Sequence, residues 1–299
     1  MLLLAAGLAG QRGHAQEATA AVTPEAVAAP PAGAPLPEIR AFLEEVRRGL
    51  HTDELLVDRY TFNEKRMERR FDAAGKVKEV TLELYEVYPS PNPGRTYRKL
   101  VERNGRPLPA SEIEKQDRKQ LARIERDAAD PVAAARKREK KEAEFRRRED
   151  QVVEELFRIY EITITGRETL EGRPAIVVAF RPRHGVRPST RTGKILQKFE
   201  GKAWIDEQDR QLARAEGMLL ENFSYGLGVL ARLYKGASAY FQRRKVNGEV
   251  WLPAEARFTG SARILLVKGL RVDSLSEYSD YRKFSVATAE EVEAEKSSP

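Results

Sequence analysis

The chain has 299 residues, a formal net charge of +7 and no cysteine. This length is sufficient for a full hydrophobic core, whereas 33% charged residues indicate that one segment carries a surplus of charge. The missing cysteine excludes a disulfide scaffold, a thiolate metal site, a cysteine nucleophile and a lipid-modified cysteine. The sequence offers only His14, His51 and His184 for zinc binding or acid–base chemistry, so the composition argues against an enzyme.

The N-terminal residues 1–16 contain an apolar run that is shorter than the roughly 20 residues of a membrane-spanning helix. Such a run is typical of a secretory signal peptide. Residues 17–37 are rich in alanine and proline and predict a disordered linker, and the acidic residues 287–299 predict a disordered tail. Export without a cysteine for lipid attachment predicts a soluble periplasmic protein, and no later stretch is long enough to span a membrane.

The expected folded domain, residues 38–286, begins with an amphipathic helix. Apolar residues recur at helical spacing from Pro37 to Leu50. Alternating apolar residues then predict strands with a hairpin at Asp72–Gly75. These strands are expected at 60–71, 80–89 and 96–102, with a loop in the proline-rich segment 89–94.

A charged insertion at about 111–156 interrupts the strands. From Ser111 to Asp150 it holds thirteen basic and eleven acidic residues, with few large apolar ones. Ser111 and Glu114 have the spacing of a capping box, and Asp130-Pro131 has the form of a second helix start. Two helices are therefore predicted, 111–129 and 131–156, with much of the second one solvated.

Strand signals resume after the insertion. Tyr160, Ile162 and Ile164 alternate with polar residues and share one face of a strand. Asn247-Gly248 is a strong two-residue hairpin signal. Further strands are expected at 176–180, 199–206, 211–220, 237–246, 249–258, 264–267 and 278–286, with a loop at 181–192 and an irregular segment at 222–228. About ten strands with short turns predict an antiparallel meander, so the fold class is α+β and mostly antiparallel β.

Two segments resemble a known family. Gly166–Arg173 precedes an apolar strand, and Gly201-Lys202-Ala203-Trp204-Ile205-Asp206 follows it. The pattern is similar to the periplasmic lipoprotein-sorting superfamily of LolA-, LolB- and RseB-like proteins. The resemblance implies a curved, incomplete, half-open β-barrel closed by helices, whose apolar concave face holds an acyl chain. The long charged insertion departs from a simple carrier.

The implied partner is therefore a lipid or lipoprotein acyl chain, held by apolar strand residues. The candidates for lining this cavity are Trp204, Ile176, Val178, Phe180, Tyr160, Ile162 and Trp251. Ordinary core packing is the alternative for each of them. Strand parity indicates that Ile176, Val178 and Phe180 share a face, but not which face.

Two basic segments are candidates for other contacts. The loop residues Arg181, Arg183, Arg187 and Arg191 have almost no acidic neighbours and predict a contact with an anion, with a flexible surface loop as the alternative. The runs 136–141 and 146–148 are interleaved with acids and predict a self-paired, solvated helix. Anionic lipid headgroups and an acidic envelope partner remain open for these runs, whereas export argues against nucleic acid.

The sequence shows no constellation for catalysis, a metal or a cofactor. His51 has no recognisable nucleophile beside it, Gly226–Gly228 lacks the frame of a phosphate loop, and Asp206–Asp209 resembles a hairpin turn more than a calcium loop. Two hypotheses follow. The protein is either a periplasmic carrier that holds an apolar ligand, or an envelope interaction module that docks a partner through its charged helices without a ligand.

Overall fold

The computed structural model describes residues 35–50, 54–72, 74–89, 96–225, 231–264 and 270–284. The predicted signal peptide, most of the linker, the C-terminal tail, His51 and residues 90–94 of the proline-rich loop lie outside these ranges. The division of the chain into domains therefore stays a prediction.

The described residues form five helices and thirteen strands. The helices are α1 Ile39–Gly49, α2 Glu54–Val57, α3 Ala110–Ala129, α4 Pro131–Ile159 and α5 Arg191–Leu196. The strands are β1 Tyr60–Phe71, β2 Val77–Tyr88, β3 Tyr97–Arg103, β4 Arg106–Pro107, β5 Tyr160–Leu170, β6 Arg173–Pro182, β7 Phe199–Asp206, β8 Leu212–Leu219, β9 Phe223–Tyr225, β10 Ala231–Leu233, β11 Ser238–Val246, β12 Val250–Ile264 and β13 Leu270–Lys283.

All the strands belong to one antiparallel sheet that does not close. Its order is β4-β3-β2-β1-β13-β12-β11-β8-β7-β6-β5, with β10 beside β12 and β9 beside β10. The predicted α+β fold class with an open, mostly antiparallel sheet is confirmed. Because α3 follows β4 and α4 leads into β5, the two charged helices connect the two ends of the sheet. We call residues 110–159 the α3–α4 arch.

Local signals explain many of the boundaries. Asn247 and Gly248 have φ of 52° and 69°, which is the conformation that a two-residue hairpin turn requires. Asp130 caps α4 by accepting a hydrogen bond from the Ala133 amide at 2.9 Å. Both features were predicted from the residue types.

Four predictions about boundaries were wrong. Helix α3 begins after Pro109 with no side-chain cap, so the capping box at Ser111 does not form. The segment 181–192 is not all loop, because β6 runs to Pro182 and Thr190 caps α5. The segment 222–228, predicted to be irregular, includes β9, and its residues 226–228 lie outside the described ranges. Strand β13 begins at Leu270, well before Tyr278, because polar residues on one face hide the alternation. Ile264 belongs to the long strand β12, and residues 265–267 and 285–286 of the last two predicted strands lie outside the described ranges.

Helix α1 covers part of one face of the sheet. The Glu38 carboxylate accepts hydrogen bonds from the amides of Arg40 at 2.9 Å and Ala41 at 2.7 Å, which fixes the helix start. Phe42 and Val46 are buried against the sheet, with 2% and 3% of their surface exposed. We call this face the helix side and the opposite face the outer side.

Cross-strand pairs extend the helix side across the whole sheet. Directly opposed residues point to the same face, so the pairings trace one continuous row. The row reads Val178, Ala203, Ala215, Phe241, Ala256, Ser276, Arg66, Glu83 and Arg103. It is apolar from β6 to β12 and polar or charged from β13 to β3.

Candidate functional site

The apolar half of the helix side contains part of the predicted ligand site. Ile176 and Val178 form a buried cluster with Ile205, and Phe42 and Val46 of α1 close it. Ile162, also predicted, packs against the same cluster. Three predicted residues therefore lie together, and α1 occupies the space over them.

Two more predicted residues lie in an adjoining cluster. Tyr160 and Phe180 pack with Ile159 and Leu196, and the two aromatic rings are 4.9 Å apart between centroids. The Tyr160 hydroxyl donates to the Leu196 carbonyl, and burial raises its pKa. Tyr160 is therefore a neutral, hydrogen-bonded core residue.

The two predicted tryptophans lie elsewhere. Trp204 pairs with Val177 and lies on the outer side, where its indole Nε1 donates to Glu168 Oε2 at 2.8 Å. The Trp251 indole donates to Asp209 Oδ2 at 2.8 Å, and the Arg173 guanidinium lies 5.6 Å from its ring centroid. The predicted set is therefore not brought into one cavity.

The sequence reasoning missed Phe42, Val46 and Ile205 as members of the apolar cluster. The helical spacing of α1 placed Phe42 and Val46 on one face, and strand parity placed Ile205 opposite in orientation to Trp204. Both signals were available in the sequence. The sequence does not indicate, however, which face of the sheet α1 covers.

The two family-like segments contact each other at the end of the sheet. Arg173 donates to both oxygens of Asp206, at 2.7 and 2.9 Å, and Asp206 is 1% exposed. This hydrogen bonding to Asp206 raises the pKa of Arg173. A side chain at Gly201 would overlap the carbonyl oxygen of Glu216 on β8. The segments therefore hold hairpins together, which is a structural role.

The charged half of the helix side is internally paired. Glu64 is 4% exposed and lies 2.7 Å from an Arg98 nitrogen and 3.2 Å from an Arg66 nitrogen. Glu83 is equally buried and accepts a hydrogen bond from the Tyr85 hydroxyl at 2.6 Å. The Arg98 guanidinium also stacks 4.5 Å from the centroid of the Tyr85 ring. We call these five residues the ionic cluster.

A polar groove of about 690 Å³ lies between α1, α4 and the loop before α5. It is lined by Arg47, Arg147, Asp150, Gln151, Glu154, Glu155, Phe157, Arg158, Ser189 and Thr190. Glu155 is its buried member and accepts hydrogen bonds from the Ser189 amide at 2.7 Å and from Arg158 at 2.8 Å. Burial favours the neutral acid, but the bonds from Ser189 and Arg158 lower the pKa of Glu155. Glu155 thus fastens α4 to the loop.

The predicted anionic contact is largely occupied by the protein itself. Arg181 donates to both oxygens of Glu161 at 3.0 Å, and this lowers the pKa of Glu161. Arg183 Nε donates to the Tyr160 carbonyl at 2.7 Å. Arg187 and Arg191 are exposed, and Arg191 begins α5.

Neither a metal site nor a membrane-spanning helix is found among the described residues. Within those ranges, no group of three or more His, Cys, Asp and Glu side chains has an arrangement that could hold a metal ion. No helix in that part of the chain is both long enough and apolar enough to cross a membrane.

No family model and no curated protein matches the chain. Among solved structures, an outer membrane lipoprotein-sorting protein domain from Vibrio parahaemolyticus is 11% identical, with a TM-score of 0.33 over 82% of this chain and 92% of that chain. A LolA superfamily protein from Nitrosomonas europaea is 12% identical, with a TM-score of 0.25 over 83% and 94%.

One chain in the structure of the MucA and MucB complex from Pseudomonas aeruginosa is 14% identical to this chain. The match has a TM-score of 0.19 and covers 83% of this chain and 96% of that chain. The solved structures that this chain resembles thus include members of the lipoprotein-sorting superfamily that the sequence motifs suggested.

Proposed function

We propose that the protein is a non-enzymatic, exported binding protein that holds an acyl chain on the apolar half of the helix side, in the place that α1 occupies. The observation that carries this proposal is the seating of Phe42 and Val46 over Ile176, Val178 and Ile205. The signal-like residues 1–16 support export to the periplasm. A role in outer-membrane or lipoprotein trafficking is part of the same proposal.

Helix α1 is suited to being displaced. It has 11 residues, and isolated helices of this length are marginal in water, so its packing holds it in place. Its polar anchors are two ion pairs, Arg210 with Glu45 at 2.7 Å and Arg47 with Glu154, and a hydrogen bond that the Gln211 amide donates to the Gly49 carbonyl. Partly exposed ion pairs contribute little to stability. The apolar residues Phe42 and Val46, with the partly buried Leu43 and Leu50, therefore supply most of the free energy that a ligand must replace.

The free energy lost when α1 leaves the sheet and the free energy gained when an acyl chain takes its place are of similar size. Exposing Phe42 and Val46 costs about 1.5–3 kcal/mol for each side chain. A methylene group gains about 0.8 kcal/mol on burial, so roughly six buried methylenes offset that loss. A long acyl chain has more than that number, which leaves a margin for the packing of Leu43 and Leu50.

The proposed contacts differ from the initial set of candidates. The bound acyl chain is lined by Ile176, Val178, Ile162 and Ile205. The adjoining end of the site is closed by Tyr160 and Phe180. Trp204 is left out because it lies in another cluster, and Trp251 is left out because it is not part of this cluster; both indoles donate to carboxylates.

The test uses a dansyl-labelled fatty acid with the Phe42→Ala variant. Truncating Phe42 weakens the covered state but removes no residue of the proposed lining. We expect the wild type to bind the probe and the variant to bind at least ten-fold more tightly, because less binding energy is spent on displacing α1. The measurement is a fluorescence titration.

Phe199→Ala is the matched control. Phe199 is 9% exposed and packs in a separate cluster with Leu219, so its truncation should leave probe affinity within about two-fold. An equal gain in Phe199→Ala would indicate general loosening of the fold. Absence of probe binding by both the wild type and Phe42→Ala would exclude the acyl-chain site.

A further inference from the structure

The α3–α4 arch has an uneven distribution of charge. From Ser111 to Asp150, twelve of the thirteen basic residues are exposed, whereas five of the eleven acids are half-buried. The half-buried acids are Asp117, Asp127, Glu142, Glu144 and Glu149. The solvent-facing charge of this segment is therefore about three times as positive as its composition indicates.

One of these acids, Asp117, holds the arch to the sheet. Asp117 accepts hydrogen bonds from the Tyr97 hydroxyl at 2.8 Å and from Lys99 at 2.9 Å. On the same side of α3, the Gln116 amide pairs with the backbone N–H and C=O of Leu100, both at 3.0 Å. The side of α3 that touches the sheet is thus acidic and polar.

The basic residues follow the opposite side in a repeated spacing. Helix α3 carries Lys115, Lys119 and Arg126, and α4 carries Arg136, Lys140 and Arg147. Each set is spaced by four and then seven residues, which places its members within an arc of about 40° on a helix. All six are exposed. We call these six residues the basic stripes.

Apolar residues lie where the two helices meet. Leu121, Ile124 and Val132 are 54%, 43% and 63% exposed. Every residue from 121 to 140 is exposed, apart from Asp127 and Ala134, which are half-buried. Leu121 and Ile124 follow Asp117 by four and seven residues, so they share the side of α3 that touches the sheet. Val132 precedes Arg136 by four residues and lies beside the stripe of α4.

We propose that the outer surface of the arch binds an anionic phospholipid bilayer, with the basic stripes against the headgroups and Val132, beside the stripe of α4, at the interface. Charge complementarity carries the choice, because Lys and Arg are attracted to anionic headgroups while an apolar side chain beside them enters the interface. This surface shares no residue with the acyl-chain site.

The experiment is vesicle flotation of the full chain. We expect binding to vesicles of phosphatidylcholine with 30% phosphatidylglycerol and little binding to phosphatidylcholine alone. Raising sodium chloride from 0.05 to 0.5 M should weaken binding strongly, since screening shortens the reach of each charge. Replacing all six residues of the basic stripes with glutamine should lower the partition coefficient by about 100-fold or more.

A matched control changes six exposed basic residues away from the arch. It carries Lys76→Gln, Lys78→Gln, Arg181→Gln, Arg187→Gln, Lys202→Gln and Arg282→Gln. This variant has the same net charge as the stripe variant and should bind within about three-fold of the wild type. If it loses as much as the stripe variant, net charge or the loop at Arg181 is responsible and the arch proposal is overturned.

The apolar contribution is tested separately with Val132→Ser, and Leu121→Ser is its control because Leu121 lies on the side of α3 that touches the sheet. Val132→Ser should lose about three-fold in partition coefficient, and Leu121→Ser should bind as the wild type does. All three arch variants should retain the wild-type melting temperature and the wild-type affinity for the dansyl fatty acid, which separates this proposal from the acyl-chain site. Failure of the wild type to float with anionic vesicles, or binding of the stripes to an acidic polypeptide in place of vesicles, would overturn the proposal.

Discussion

The helix side of the sheet has an apolar half and a charged half, and they differ in how they are covered. Helix α1 covers the apolar half with Phe42 and Val46, whereas Arg66 and Arg98 cover the buried carboxylate of Glu64 within the charged half. Hydrophobic contact is non-directional, but buried ion pairs require close and specific geometry. An apolar cover can therefore be exchanged for another apolar group, and an ionic cover cannot.

The comparison also locates the exchangeable part of the fold. The proposed exchange of α1 for an apolar ligand takes place over β5–β8, because the helix-side residues of these strands need only an apolar partner of suitable volume. In β1–β3 the ion pair of Glu64 with Arg98 joins β1 to β3 across β2. One half of the face is thus suited to a ligand, and the other half is suited to holding the sheet in shape.

The largest expected effect is on the charged half. Glu64→Gln removes the carboxylate that Arg66 and Arg98 share, and we expect a loss of about 3 kcal/mol in the free energy of unfolding. Urea denaturation measures it. Glu68→Gln on the same strand is the control, because the Glu68 side chain is 32% exposed against 5% for Glu64, and it should cost less than about 1 kcal/mol. Equal losses in the two variants would contradict an ionic cluster that holds β1–β3.

The next effect concerns Glu155, a buried carboxylate at the margin of the apolar half. Its pKa is lowered from 4.5 in the folded protein. Its stabilising effect is therefore present above about pH 4.5 and is lost as the pH falls through the folded value. Glu155→Gln should cost about 2 kcal/mol at pH 7, and the difference from the wild type should shrink below pH 4.5. A difference that stays constant with pH would show that packing, not ionisation, is responsible.

The smallest expected effect is tested by exchanging valine and threonine at one position in each half of the helix side. Val178→Thr places a hydroxyl in the apolar cluster without a partner, which should cost about 1.5 kcal/mol. Thr81→Val, on β2 in the charged half, concerns a half-buried residue and should change stability by less than about 0.5 kcal/mol. Thermal unfolding of both variants checks the pair. A larger loss for Thr81→Val would reverse the assignment of the two halves.

Local chemistry allowed much of the fold to be predicted. The bounds of β7, the hairpin at Asn247-Gly248 and the cap at Asp130 each depend on residues close in the sequence. The placement of Trp204 on the outer side depends on which face α1 covers, and no local pattern contains that information. The ionic cluster was not predicted, because Glu64, Glu83 and Arg98 come together only through the register of β1, β2 and β3.

The arch shows the same limit in its charges. Interleaved acids and bases indicated a self-paired helix, and the residue counts nearly cancel. The structure turns Asp117 and Asp127 inward and leaves Lys115 and Arg126 exposed. Helical periodicity defines which residues share a side, but the contact of Gln116 with Leu100 defines which side faces the sheet.

The most direct test of the central claim measures the position of α1 when a fatty acid binds. Because the chain has no cysteine, nitroxide labels can be placed by Ala41→Cys on α1 and Lys202→Cys on β7, both exposed positions. Double electron–electron resonance should show one distance without ligand and a second, longer distance that grows with added oleic acid. A label pair at Lys78→Cys and Lys202→Cys, both on the sheet, should not change. A single unchanged distance from α1 at saturating oleic acid would contradict displacement of α1 by the ligand.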